Sequence, residues 1–340
     1  MLLDRFGVRI VGAVSAFVWS AASFAAAFSP SIGVFFGARL LLGVGEAPTF
    51  PANAKAIGRW FPASQRSLPT AIFDAAAKFG PALGVPAIGF LLIRFGWRMS
   101  FAATGILSFF YFLAFYFVYR DPSTDGTEST QKIGGAPLAY LLEQPKVIGL
   151  VTGFFGYNYC FYLLLLWLPT YFSALKLSPS ASLIYSAVPW LAATVADLLV
   201  GGWLVDALIQ RGHDDSRVRK AVLVCGTTLG LAVAGPLFTN DPLAALAWLT
   251  VALAGLAAAA PVGWSIPSII APHGSVGKVG AILNTGNQVA GIVAPIVTAA
   301  LAGPSNVLGP AFAVAGIILV GGIAAYIFLL GRIEAIPEPT

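Results

Sequence analysis

Stretches of about twenty mostly apolar residues recur along the chain, and a helix of that length crosses a ~30 Å hydrocarbon core. The pattern predicts ten transmembrane helices, at 8–28, 31–57, 69–93, 97–119, 147–172, 182–204, 220–238, 242–267, 278–302 and 310–332. Pro30, Pro62, Pro145 and Gly274 punctuate the connections. The longest polar insert follows the fourth span and carries Asp121, Asp125, Glu128 and the pair Gly134-Gly135. It reads as a cytoplasmic linker, 120–146, between a four-span bundle, 1–119, and a six-span bundle, 147–334.

Composition agrees with a membrane protein. Hydrophobic residues make up 58% and charged residues 10% of the 340 positions, where a soluble domain carries roughly 45–50% and about 25%. The placement of the 19 Lys and Arg residues says more than the net charge of +5. With residue 1 in the cytoplasm, cytoplasmic segments hold Arg5, Arg9, Lys55, Arg59, Arg66, Arg120, Lys132, Lys146, the run Arg211 to Lys220, Lys278 and Arg332. Opposite loops hold Arg94, Arg98 and Lys176. The positive-inside rule then puts both termini in the cytoplasm, and the basic balance implies no nucleic-acid partner. A basic start with Ala25-Ala26-Ala27 behind it also suits a secretory signal, but a second span follows at once and the start belongs to a repeat.

That repeat pairs Met1-Leu2-Leu3-Asp4-Arg5-Phe6-Gly7 with Gly202-Trp203-Leu204-Val205-Asp206-Ala207-Leu208, each followed by basic residues. Duplication of this kind marks transporters built from repeated halves. The motif resembles the loop signature between the second and third helices in each half of the major facilitator superfamily. The resemblance implies an all-α membrane protein with the major facilitator fold, ten helices being visible of an expected twelve, with the first two apparently lacking. It also implies a gating role for Asp4, Arg5, Gly202 and Asp206.

A longer string, Arg39-Leu40-Leu41-Leu42-Gly43-Val44-Gly45-Glu46-Ala47-Pro48-Thr49-Phe50-Pro51-Ala52-Asn53, is followed by Trp60-Phe61-Pro62 and Arg66. It resembles the anion:cation symporter family, which includes bacterial carriers of hexonates, hexuronates, glucarate, tartrate and phthalate, and the vesicular glutamate transporters. Asn284-Thr285-Gly286-Asn287-Gln288-Val289-Ala290-Gly291-Ile292 with Pro295, and Trp167-Leu168-Pro169-Thr170-Tyr171, resemble it too. Membership implies a multi-pass protein of a bacterial inner membrane.

Polar groups inside spans mark the candidate site. Arg39, Glu46, Asp74 and Lys78 turned to lipid would cost on the order of 10 kcal/mol, so they are expected to face an interior or a water-filled cavity. Arg39 and Glu46 are seven positions apart, which places them on one helix face but about 10.5 Å apart along the axis. Glu46 is the expected proton-binding carboxylate, and the family resemblance points to the same position. Arg39 is expected to neutralise the substrate, the alternative for both being a link to a neighbouring helix. Asp74 and Lys78 are four apart and can form an intrahelical ion pair. Either the pair is a silent neutralisation, or it opens so that Lys78 binds a substrate carboxylate while Asp74 takes a proton. Sugar-acid members of the family often carry an amide near Lys78, so this chain departs from them there. Tyr157 and Asn158, and Asn284, Asn287 and Gln288, are expected to line a midplane cavity with hydrogen-bonding groups, interhelical bonding being the alternative.

Cys160 and Cys225 are isolated in apolar runs, and His213 and His273 have no metal-like partner, so no metal site is expected. Nothing in the sequence matches a nucleophile elbow, a phosphate loop or an HExxH motif, so neither an enzyme nor a cofactor is expected. The expected function is proton-coupled symport of a small organic anion (hexonate, hexuronate, aldarate or similar carboxylate) by alternating access, with the anion, protons and the lipid bilayer as partners. Two alternatives stay open: a truncated, non-transporting membrane protein, since no arginine of a first family helix is seen, and an exporter of hydrophobic compounds.

Overall fold

A computed structural model describes residues 2–61, 67–121, 135–302 and 308–339, leaving aside the side chains of residues 2–5, 54, 58, 67 and 68. Among the described residues every regular element is helical. In chain order these are α1 (Leu2–Ala27), α2 (Ile32–Glu46), α3 (Thr49–Trp60), α4 (Ser67–Val118), α5 (Leu138–Glu143), α6 (Pro145–Ala174), α7 (Pro179–Ala196), a π-helical segment (Asp197–Leu204) and α8 (Val205–Gln210). Next come α9 (Asp215–Gly230), a 3-10 segment (Leu231–Phe238), α10 (Pro242–Ser265), α11 (Pro267–Ile270), α12 (Val276–Ala302) and α13 (Gly309–Phe328).

Nine of the described helical stretches are long and apolar enough to cross a membrane. One of them, Pro69–Val118, has 50 residues, about 75 Å of ideal helix, which is far more than one crossing. Gly96, at φ 80° and ψ 172°, breaks it, so it supplies the third and fourth expected spans. The second expected span is likewise broken at Pro48, which cannot donate a backbone hydrogen bond and divides α2 from α3. The polar linker expected over 120–146 is helical in part: α5 lies within it, and Leu141 is fully buried.

The chain divides into two compact units, Met1–Thr70 with Ala87–Thr130, and Ala71–Pro86 with Gln131–Thr340. In the first unit α1 packs on the later arm of α4 through Phe17 against Phe112 at 5.6 Å and Trp19 stacked on Tyr111 at 5.7 Å. Gly7 breaks α1 with φ 77° and ψ 170°, leaving the first amides of the following helix without carbonyl partners. Asp121 takes two of them, accepting from Val8 N and Arg9 N at 3.1 Å each. Asp121 also lies 3.6 Å from Arg59.

In the second unit Trp190, Tyr159, Tyr326, Phe154, Phe172 and Phe312 are the largest apolar side chains to be fully buried. The last span ends at Phe328, short of the expected residue 332, and the tail folds back. Lys220 donates to the carbonyls of Ile327 and Gly331 at the end of α13. Ile333 N donates to Ser216, Ile336 N to Ile270 O, and Tyr140 Oη to Pro337 O, while Glu338 accepts from His273 N.

Candidate functional site

Two clusters of polar side chains occupy the units, one in each. In the first unit Ser31 caps α2 by accepting from Val34 N at 3.4 Å, and the helix carries Arg39 and Glu46 on nearly one face. Both line a cavity of about 970 Å³, together with Trp19, Ser23, Thr104 and Ser108, a volume large enough for a small organic ligand. No ion pair joins Arg39 to Glu46 among the described residues. The guanidinium instead lies over the rings of Phe101 at 4.7 Å and Phe35 at 5.5 Å. Its Nε and Nη2 atoms are buried and have no hydrogen-bond partner among the described residues. A planar cation with donors free and its face held by aromatic rings is suited to a carboxylate.

In the second unit the expected Asp74–Lys78 pair is present, with Nζ 2.6 Å from Oδ2. It is not isolated. Asp197, at the start of the π-helical segment, places its own Oδ2 2.7 Å from the same ammonium, and its side chain is fully buried. Tyr157 lies beside this cluster. The sequence reading missed Asp197, although a lone carboxylate in the apolar run 182–204 is itself a signal.

The other expected residues separate. Asn158 is buried, and its Nδ2 turns back to Phe154 O on its own helix at 3.3 Å. Asn287 is buried, and neither its oxygen nor its nitrogen has a partner among the described residues. Asn284 and Gln288, on the same helix, are exposed. Gly202 allows close approach to α4, since a Cβ there would stand 3.1 Å from that of Ala71. Asp206 is half-buried, and Asp4 and Arg5 lie outside the residues whose side chains are described.

The sequence matches the family described as Major Facilitator Superfamily over residues 1–212. The chain belongs to that superfamily. A Bacillus subtilis (strain 168) relative named as the uncharacterized transporter YybO is 36% identical, the match covering 98% of this chain and 81% of the relative. An Escherichia coli relative named as the D-galactonate transporter is 26% identical over 98% of this chain and 83% of its own length. Among solved structures, a D-xylose-proton symporter aligns with a TM-score of 0.71 and 20% identity, covering 99% of this chain and 83% of that one, which shows the same fold. This major facilitator protein is therefore a multi-pass membrane transporter of the secondary type, and within the superfamily it groups with sugar-acid and organic-anion carriers.

Proposed function

We propose that this protein takes up a small organic anion, a hexonate, hexuronate, aldarate or similar carboxylate, together with protons, by alternating access. It works in a bacterial inner membrane with both chain ends in the cytoplasm, the four-span bundle 1–119 and the six-span bundle 147–334 acting as its two moving parts. Arg39 receives a substrate carboxylate, Lys78 is the candidate for a second carboxylate, and Glu46 and Asp74 exchange the coupled protons. The observation that carries this reading is the cavity in which Arg39 keeps two buried guanidinium nitrogens without partners among the described residues while Glu46 lines the same space. Relatives named as galactarate/D-glucarate and hexuronate transporters support the substrate class. A cavity with a guanidinium and a carboxylate in its wall is ill suited to a hydrophobic compound, whose binding would bury both charges unpaired.

The test is accumulation of radiolabelled hexonates, hexuronates, tartrate and phthalate in cells expressing the chain, with and without a proton uncoupler. Accumulation that the uncoupler abolishes is the expected result. Uptake indifferent to the uncoupler would remove proton coupling, and no uptake of any of these anions would remove the substrate class.

A further inference from the structure

The Lys78 cluster has one negative charge too many. Two carboxylates, Asp74 and Asp197, flank one ammonium at 2.6 and 2.7 Å, and Lys78 is the only cation in ion-pair contact with either of them among the described residues. All three side chains are nearly inaccessible, at 2% for Lys78, 7% for Asp74 and 0% for Asp197. Asp74 and Lys78 share a helix and form a neutral pair wherever that helix goes. Asp197 comes from a separate element and is the odd charge. Both carboxyl groups stand against the same ammonium, and a proton on one of them supplies a donor that two bare acceptors lack.

Among the described residues the surroundings offer no further cation to neutralise the site. Against the π-helical segment pack α10, which carries no titratable side chain, α7, whose only one is Tyr185, and α8, which contributes Asp206. From α4 come Asp74 and Lys78, from α6 Tyr157, and from α13 the buried Tyr326 beside it. An uncompensated carboxylate in such a place is costly, and taking up a proton is the usual escape.

We propose that Asp197 is a proton-binding residue, holding a proton shared with Asp74 while Lys78 remains an ammonium, and releasing it when the cluster gains water or a cation. Asp197 thereby joins Asp74 in one coupling site, distinct from Glu46. Its part in coupling rests on the symport reading above, whereas the binding of the proton does not.

The closing experiment separates the two. Infrared difference spectra of the purified full-length protein in liposomes, recorded between acidic and alkaline pH, report the C=O stretch of any carboxyl group that titrates. Wild type and Glu46→Gln are expected to share a band that is missing in Asp197→Asn and displaced in Asp197→Glu. Asp197→Asn leaves the neutral Asp74–Lys78 pair in place, and should that variant fail to fold, the displaced band of Asp197→Glu decides the matter. A band unchanged in both Asp197 variants overturns the proposal. Uptake is measured on the same preparations: loss of accumulation driven by a pH gradient in Asp197→Asn, with anion exchange retained, is the expected coupling result. Wild type that shows the band but no proton-driven uptake would leave Asp197 as a proton site and remove the symport reading instead.

Discussion

Arg9 and Arg98 hold equivalent positions in two antiparallel helices, each tying down the end of the other's helix. Arg9 stands two residues after Gly7 and donates to Tyr116 O at 3.1 Å, near the end of α4. Arg98 stands two residues after Gly96 and donates to Ser29 O at 3.4 Å, just past the end of α1. Each guanidinium also lies over an aromatic ring, Tyr116 for Arg9 at 5.1 Å and Trp97 for Arg98 at 4.5 Å. A cation at a helix C-terminus meets the negative end of its dipole as well as a carbonyl without an amide partner. Replacing either arginine by alanine is expected to cost about 1 kcal/mol, and the double variant about the sum, because the two sites lie at opposite ends of the helices. Apparent melting temperatures of the purified variants check both statements.

The two glycines before those arginines are expected to differ. Both have a positive φ with extended ψ, a region nearly reserved for glycine, and alanine there costs of order 1–3 kcal/mol. At Gly96 a Cβ would meet open space, whereas at Gly7 it would come within 2.5 Å of Asp121 Oδ2. Gly7→Ala therefore also pushes away the carboxylate that accepts from Val8 N and Arg9 N. The larger loss of thermal stability is predicted for Gly7→Ala, and equal losses would mean that backbone strain alone matters.

The anion site makes a kinetic prediction. Arg39→Lys keeps the charge but gives up the planar fork and the ring contacts, and is expected to raise KM for the transported anion by about tenfold, near 1.4 kcal/mol, with little change in maximal rate. Glu46→Gln is expected to abolish accumulation against a gradient while leaving exchange of internal for external anion. Uptake rates across a range of external pH values would be flat for Glu46→Gln and sloped for Arg39→Lys.

Removing the shared cation of the other cluster tests its energetics. Lys78→Met strands two buried carboxyl groups, and breaking a buried ion pair from one side costs about 3–5 kcal/mol. Adding Asp74→Asn and Asp197→Asn to it removes the stranded charges. Most of the lost stability is expected to return in the triple variant, as read by thermal unfolding, while proton-driven uptake stays absent.

The features legible in the sequence are those that depend on near neighbours. Apolar length marked the spans, and the break between the third and fourth was expected within a few residues of Gly96 because Arg94 and Arg98 interrupt the apolar run. The four-residue spacing of Asp74 and Lys78 predicted their contact, since helix geometry alone brings such residues together. Asp197 was missed for the opposite reason: it has no partner at helical spacing, and its cation comes from a helix far upstream. Asp121 looked like one more polar residue of a linker, yet it serves the amides that Gly7 sets free at the other end of the unit. The pentapeptides Arg5-Phe6-Gly7-Val8-Arg9 and Arg94-Phe95-Gly96-Trp97-Arg98 share a pattern that the sequence reading passed over. Their meaning needed the backbone angles, which match within a few degrees at the two glycines. Asn284, Asn287 and Gln288 have helical spacing, yet Asn287 is buried and the other two are exposed, so proximity in sequence overstated their common purpose.

The folded tail after α13 turns the end of the chain into an instrument for watching transport. Ile336, Pro337 and Glu338 are bonded to Ile270, Tyr140 and His273, so a fluorophore placed on exposed Ala335 (Ala335→Cys, with the exposed Cys225 replaced by Ser) rides with α5 and α11 on a short tether. Its emission would then follow the displacement of those helix ends during a turnover, with little of the blurring that a freely swinging terminus imposes.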